Sequence, residues 1–331
     1  MTDPTPDRPL VTFALFAYNQ EQYIREAVEG AFSQTYKPLE IILSDDCSSD
    51  RTFEIMQEMA AAYRGPHRVV MDRTPANLGR TTFGRRVWSL LSQCKGELIV
   101  LAAGDDVSTP DRTSILFNTW NKGGRKVVCV HSKALPVDAN GAPIAPETGD
   151  NFIASLSLER FIAQDGRGLL GATNAISREI LSRFGPFPDV LLIEDGALAF
   201  RAKLADGILF VPQSLVFYRR HADNMTNQAE LQSSEFLQRY VLGLAGQHAG
   251  FLADYVLSSK MLDPDILSIV AKRIMTARRI SYLNKGNFRQ RMIASLSYST
   301  RLPLKRRIWL LLNSLHLVHA KSKKRGMKND K

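Results

Sequence analysis

Three pairs of adjacent carboxylates and one basic cluster carry the residue types that do chemistry in this 331-residue chain. Asp105-Asp106 follows an apolar run and a glycine. Two neighbouring carboxylates there suit a hard divalent cation, which takes oxygen ligands and keeps waters and phosphate oxygens in its shell. Mg²⁺ or Mn²⁺ so held would bridge a diphosphate and neutralise charge as it departs. Asp45-Asp46 closes another apolar run, and Asp45 can accept the imide N–H of a uracil or thymine ring, a proton that cytosine lacks. Glu194-Asp195 opens a helical pattern, where an aspartate can act as general base toward an attacking hydroxyl. Arg219-Arg220-His221 adds an imidazole for a metal and guanidinium groups for phosphate. Each has a plainer alternative, because acids open turns and helices and a lone histidine is commonly a surface or core residue.

What favours chemistry is the set of elements that would carry them. Leu10–Ala17 is an apolar run with strand character, and Asn19 with Gln22 has capping-box spacing ahead of a helix through Ile24, Ala27, Val28, Ala31 and Phe32. Leu39–Ser44 is a second strand, followed by a helix from Ser49 or Asp50, a strand at His67–Met71 and a helix through Phe83, Val87, Leu90 and Leu91. Glu97–Ala102 is a strand leading into Gly104-Asp105-Asp106, Thr109-Pro110 starts a helix, and Val127–Val130 is a strand. The spacing then predicts a loop region over 136–170 with a short helix near Leu156–Ile162, a strand at Gly171–Ile176, helices at Arg178–Phe184 and from Glu194, and two strands, Ile208–Val211 and Leu215–Tyr218. This alternation implies an α/β fold with a mostly parallel sheet between helices, in which ligands bind beyond the carboxyl ends of the strands. All four candidate clusters fall at that rim. Past about residue 228 only helical patterns remain, so the chain divides into 1–228 and a helical 229–331.

In order and spacing, VTFALFAYNQEQYIREAVEGAFSQTY (11–36), IILSDDCSSDRT (41–52), NLGR (77–80), LAAGDD (101–106), IEDGAL (193–198) and YRRHADNMT (218–226) resemble the inverting family 2 glycosyltransferases of the GT-A fold, among them bacterial surface-polysaccharide enzymes. That resemblance spans about two-thirds of the chain and implies a nucleoside-diphosphate-sugar donor with Mn²⁺ or Mg²⁺. It places Ala17, Tyr18, Asn19, Glu21, Asp45, Asn77, Arg80, Asp105 and Arg219 at the donor, Asp106 and His221 at the metal and its diphosphate, and Asp195 as catalytic base; helical geometry then turns Glu194 away if Asp195 faces the cleft. Two positions depart from the family pattern: Ala103 stands where Asp-x-Asp-Asp has its first aspartate, and Cys47 where Asp-Asp-Gly-Ser has glycine.

Composition narrows the alternatives. With 44% hydrophobic and 23% charged residues the chain is an ordinary globular mixture, and its three cysteines are too few for a disulfide scaffold or a zinc cluster. No Gly-x-Gly-x-x-Gly follows the first strand, which opposes a dehydrogenase, and AYNQEQ there is not the glycine-rich basic loop of a nucleotidyltransferase. A non-catalytic nucleotide-sugar-binding module is the remaining alternative. The net charge of +10 is a property of the tail: 17 of the 43 basic residues and one of the 33 acidic ones lie from Lys272 onward, leaving the preceding 271 residues at −6. Within 301–331 an apolar stretch from Ile308 to Val318 lies between basic clusters, too short to span a bilayer but able to lie on an anionic membrane or to dock on the protein. Nucleic acid is disfavoured, since no aromatic interleaving accompanies the charge. The expectations are a cytoplasmic protein, peripheral to the inner face of the membrane, with a saccharide or lipid-linked saccharide acceptor and an open oligomeric state.

Overall fold

The computed structural model describes residues 8–77, 83–166, 168–189, 191, 194–205, 207–221, 234–258 and 263–285. Its centre is one eight-stranded sheet with strand order β3-β2-β1-β4-β7-β6-β8-β5. Strands β1 (Val11–Ala17), β2 (Leu39–Asp45), β3 (Arg68–Arg73) and β4 (Leu98–Ala103) pair in parallel. Beyond β4 the sheet turns mixed: β7 (Asn174–Ser177) is antiparallel to β4 and to β6 (Cys129–Val137), β8 (Ile208–Arg219) is parallel to β6, and β5 (Val107–Ser108) is antiparallel to β8.

The strand directions decide where the site lies. Val100 pairs with Ala175 and Leu98 with Ser177, so the start of β7 meets the carboxyl end of β4. Val137 pairs with Arg219, so β6 and β8 end together at that same edge. The turns after β1, β2, β4 and β8 and the 3-10 turn Gly171–Thr173 before β7 therefore share one rim.

Two apolar layers sandwich the sheet, because successive strand residues face opposite sides. Phe13 and Leu15 pack toward α1 (Ile24–Phe32), α2 (Thr52–Ala62) and α4 (Arg112–Lys122). Ala14 and Ile176 face the layer built by α3 (Phe83–Gln93), α6 (Leu158–Ala163), α7 (Glu179–Phe184) and α8 (Glu194–Leu204). The short α5 (Phe152–Ser155) precedes α6. Helices α9 (Ser234–Leu257) and α10 (Pro264–Lys285) complete the second layer. Phe251 of α9 stacks on Phe200 of α8 at 4.2 Å and approaches Phe161 at 6.2 Å. Arg201 of α8 is wholly buried, bidentate to Asp254 of α9 at 2.9 and 3.1 Å, and donates to the Gly185 and Pro186 carbonyls. The catalytic pattern and the helical region thus share a core. Phe251→Leu gives up the ring stack and part of the packing, and is expected to lower stability by about 1–2 kcal/mol in urea unfolding.

Several sequence expectations shift. The two strands at 208–218 are one strand, β8. Its register against β6 slips between Ser132 and Ala134, where β8 carries extra residues including Pro212, which has no N–H for the ladder. Gly171–Thr173 is a turn rather than the start of a strand, and β6 extends into the expected loop region as far as Val137. Asn19 does not cap α1: it holds φ +49°, and its side chain bonds the neighbouring loop instead.

Candidate active site

The β1–α1 and β2–α2 turns lie side by side because Ala17 pairs with Asp45. Side chains of each turn bond backbone of the other. The Asn19 N–H donates to Ser48 Oγ (2.8 Å) and the Ser49 N–H to Asn19 Oδ1 (2.9 Å). The Gln20 N–H donates to Thr52 Oγ1 (2.7 Å), the Glu21 N–H to Asp50 Oδ2 (3.0 Å), and the Arg51 N–H to Glu21 Oε2 (2.9 Å). Of the residues expected at the donor, Asn19 and Glu21 therefore brace the turn, and Tyr18 presents a 44% exposed side chain at the rim. Ala17 ends β1 fully buried and accepts the Asp46 N–H at 3.0 Å.

Asp45 lies beneath this surface. Its carboxylate accepts the Ser48 N–H at 2.9 Å and the Ser48 hydroxyl, and pairs with Arg73 at 3.2 Å. Behind it Arg86 of α3, 1% exposed, donates to the Ser44 hydroxyl and the Asp45 carbonyl, and pairs with Asp46 at 3.3 Å and Asp72 at 3.1 Å. Asn77 donates to the Asp46 carbonyl (3.2 Å) and carboxylate (3.1 Å). Burial raises the Asp46 pKa. Arg80 lies outside the described residues.

After β4, Gly104 passes so close to the first turn that a Cβ there would lie 2.8 Å from Ala17 Cβ and 2.5 Å from Gln20 Oε1. Asp105 then meets His221 at 3.0 Å, and the imidazole sits 4.6 Å from the Tyr23 ring. The sequence expectation grouped His221 with Asp106; the structure pairs it with Asp105. Arg219, expected at the diphosphate, is 1% exposed, and its guanidinium donates to the Asp105 carbonyl (3.0 Å), the Ala139 carbonyl (2.6 Å) and Glu26 (2.7 Å). These bonds brace α1 against the acidic loop. The Arg219 N–H donates to Asp106 Oδ1 at 2.8 Å. The second oxygen, Asp106 Oδ2, is buried with no hydrogen-bond partner among the described residues. Burial, then the Asp105 charge, pushes the Asp106 pKa well up.

Asp195 sits in the first turn of α8, where Oδ2 accepts the Gly171 N–H at 3.2 Å and Oδ1 the Gly196 N–H at 2.7 Å. Burial and, secondarily, the Glu194 charge push its pKa up to about 8. Burial raises Glu194 as well. Glu194 is not turned away as its helical position suggested: a Cβ on Gly171 would lie 3.3 Å from Glu194 Oε1 and 3.7 Å from Asp195 Oδ2. Both carboxylates approach the same turn.

Sequence reasoning missed the buried arginines. Arg86 gave no signal within GRRVW. Arg112 gave a faint one, since a cation in the first turn of a helix opposes the helix dipole and asks for another reason to be there.

Residues 12–185 match the family described as glycosyl transferase family 2. An uncharacterised protein of Mycobacterium tuberculosis is 29% identical over 231 residues, which are 69% of this chain and 64% of that protein, so the chain spans less than two-thirds of this relative's length. Among solved structures, Staphylococcus aureus TarS 1–349 in complex with UDP-GlcNAc superposes with a TM-score of 0.53 at 16% identity, covering 96% of this chain and 92% of that one. The mannosyltransferase PcManGT of Pyrobaculum calidifontis, in complex with GDP-Man and Mn²⁺, gives 0.54 at 16% identity, covering 93% and 86%. These likenesses establish the GT-A fold. By the extent of the family match, more than half its length, the chain belongs to glycosyl transferase family 2.

Proposed function

We propose that this chain moves a sugar from a nucleoside diphosphate sugar, UDP- or dTDP-linked, to a hydroxyl of a saccharide or lipid-linked saccharide, with Asp195 as general base. The observation that carries this reading is the Asp195 carboxylate, held by the Gly171 N–H on the same sheet rim as Asp105 and Asp106, with a pKa raised to about 8. A base poised near neutrality suits removal of a hydroxyl proton. The braced turns after β1 and β2 would seat the nucleotide, with Tyr18 at its edge.

The donor set fits a divalent cation. Asp106 Oδ2 is a hard, buried oxygen with no partner among the described residues. Those residues contain no cluster of three His, Cys, Asp or Glu side chains that could hold a metal, so the remaining ligands would come from donor phosphates and water, as Mg²⁺ and Mn²⁺ sites allow. Asp106 would hold the ion, and Asp105 and His221 would stand beside it. When bound, the cation would neutralise charge on the departing nucleoside diphosphate. TarS was solved with UDP-GlcNAc and PcManGT with GDP-Man and Mn²⁺, which supports a nucleotide-sugar donor here.

A single displacement with Asp195 as base inverts the anomeric centre. The nearness of Glu194 to Gly171 favours a second reading, a retaining double displacement with a carboxylate nucleophile. The anomeric configuration of the first-formed product, read by NMR, separates the two. Turnover is tested with a panel of UDP-, dTDP- and GDP-sugars in Mn²⁺, Mg²⁺ or EDTA; no binding of any donor under any condition would sink the assignment. The pH profile is a further check. Because Asp195 must be unprotonated to accept the proton, kcat/KM should rise about tenfold per pH unit below its pKa near 8 and level off above it. A flat profile between pH 6 and 9 would count against the base.

No helix of the described residues is long and apolar enough to cross a membrane. The basic segment 301–331 lies outside them. Its charge and apolar stretch favour an acceptor presented at an anionic membrane surface, and co-sedimentation with phosphatidylglycerol vesicles tests that.

A further inference from the structure

Arg112 is a buried charge with no ion pair among the described residues, faced through space by Asp106, whose attraction offsets only part of the cost of its burial. Its side chain is wholly buried at the start of α4, and its hydrogen-bond acceptors are all neutral oxygens: Ser108 Oγ (2.8 Å), the Leu101 carbonyl (2.7 Å) and the Ala172 carbonyl (2.6 Å). Its Nε has no partner among the described residues, and burial brings its pKa down to about 9. Burying a cation on such terms costs several kcal/mol, and apolar side chains of similar volume generally serve a core as well or better. Arg is therefore a costly choice for packing alone.

What the guanidinium joins gives the choice a purpose. Leu101 belongs to β4, four residues before Asp105, and Ser108 follows Asp106 by two. Ala172 is the neighbour of Gly171, whose N–H holds the Asp195 carboxylate. One rigid fork thus spans the strand that carries the acidic pair and the turn that carries the hold on the base, across a β4–β7 ladder that ends at Val100 and Ala175 and leaves Leu101 and Ala172 unpaired in it. Arg112 ties the two segments together beyond the end of that ladder.

We infer that Arg112 is a positioning residue for sugar transfer, fixing the Gly171–Ala172 turn, and through it Asp195, relative to the Asp105–Asp106 loop. This rests on Asp195 acting as base. A displacement of a positioned base by about 1 Å costs on the order of 100-fold in rate. The nucleotide turns after β1 and β2 make none of these bonds, so donor binding should be spared as long as the charge facing Asp106 is kept, as it is in Arg112→Lys.

The test compares Arg112→Lys and Arg112→Met with wild type in kcat, donor KM and equilibrium binding of UDP, with thermal melting as the fold check and Asp195→Asn measured alongside. The expected result is a kcat lowered about 100-fold in both variants, with donor KM and UDP affinity within about threefold of wild type in Arg112→Lys, which keeps the charge facing Asp106. Arg112→Lys keeps a charge but not the planar fork, so it should not restore kcat. The inference is overturned if a folded variant keeps kcat within threefold of wild type, or if kcat and UDP affinity fall in parallel in Arg112→Lys. Should both variants fail to fold, Ser108→Ala, which removes one anchor of the fork, supplies the same comparison: a kcat loss of about threefold to tenfold at constant KM supports it, and none overturns it. An active Asp195→Asn would instead overturn the base itself, whatever Arg112 does.

Discussion

Asp195→Asn should lose turnover and gain stability at once. Removing a general base typically lowers the rate 10²–10⁴-fold, and about 10³-fold is expected in kcat here, with nucleotide affinity unchanged because the braced turns after β1 and β2 are untouched. The stability gain follows from the proton balance. In the unfolded chain Asp195 titrates near 3.9, whereas in the fold burial and Glu194 hold it up to about 8. Between those values the unfolded chain releases a proton that the folded chain keeps, so the wild type loses stability as pH rises from about 4 to about 8. Asparagine has no proton to release and escapes that loss. It gives up one of the two N–H bonds, worth about 1 kcal/mol, against a relief on the order of a few kcal/mol at pH 8. The variant should therefore unfold at higher urea than wild type at pH 8, and near pH 4 the gain should be gone, leaving the variant less stable by about the 1 kcal/mol of the lost bond. Retained turnover would remove Asp195 from the mechanism, and lower stability at pH 8 would refute the raised pKa.

Asp106→Asn should uncouple donor binding from the cation. The amide keeps an oxygen for the Arg219 N–H, so the loop between β4 and β5 retains its shape, while the charge on the partnerless oxygen disappears. In wild type, Mn²⁺ should tighten UDP-sugar binding and EDTA should reverse it. In the variant, calorimetric titrations with Mn²⁺ and with EDTA should coincide, at an affinity on the order of 100-fold below the Mn²⁺-loaded wild type, and transfer should fall at least as far. A variant that still responds to Mn²⁺ as wild type does would place the ion elsewhere. A wild type indifferent to EDTA would remove the ion from the reaction.

The features legible in the sequence were those set by local pattern. Apolar runs of strand length ending in Tyr18-Asn19, Asp45-Asp46 and Asp105-Asp106 marked the strand ends, because the two-residue alternation of strands and the wider rhythm of helices are local properties. What stayed hidden depends on partners distant along the chain. The antiparallel insertion of β7 between β4 and β6 leaves no local trace, since Asn174–Ser177 pairs the same way in composition whichever direction it runs. Asn19 had the residue type and spacing of a cap, but Ser48 and Ser49 of the next turn offered it better partners. That Glu26 and the Ala139 carbonyl would take donors of Arg219 could not be read from YRRH, because both lie far away along the chain. Arg86 was invisible as an organiser because a surface arginine and a buried one are spelled alike, and Arg112 showed only through its unfavourable place in the first turn of a helix.

The clasp between α8 and α9 bears on how such an enzyme can be recombined. Sequence pattern puts a seam near residue 228, and a chimera joined there would attach a foreign helical half to this catalytic half. Arg201 would then be left in the interior without Asp254, and Phe200 without Phe251, on the very helix whose first turn carries Asp195. An orphaned interior charge alone costs about 3–5 kcal/mol. Grafting the far half from another relative would therefore disturb the helix that carries Asp195, unless the aromatic and the aspartate travel with it. The unit that must be exchanged whole is larger than the change in sequence texture suggests.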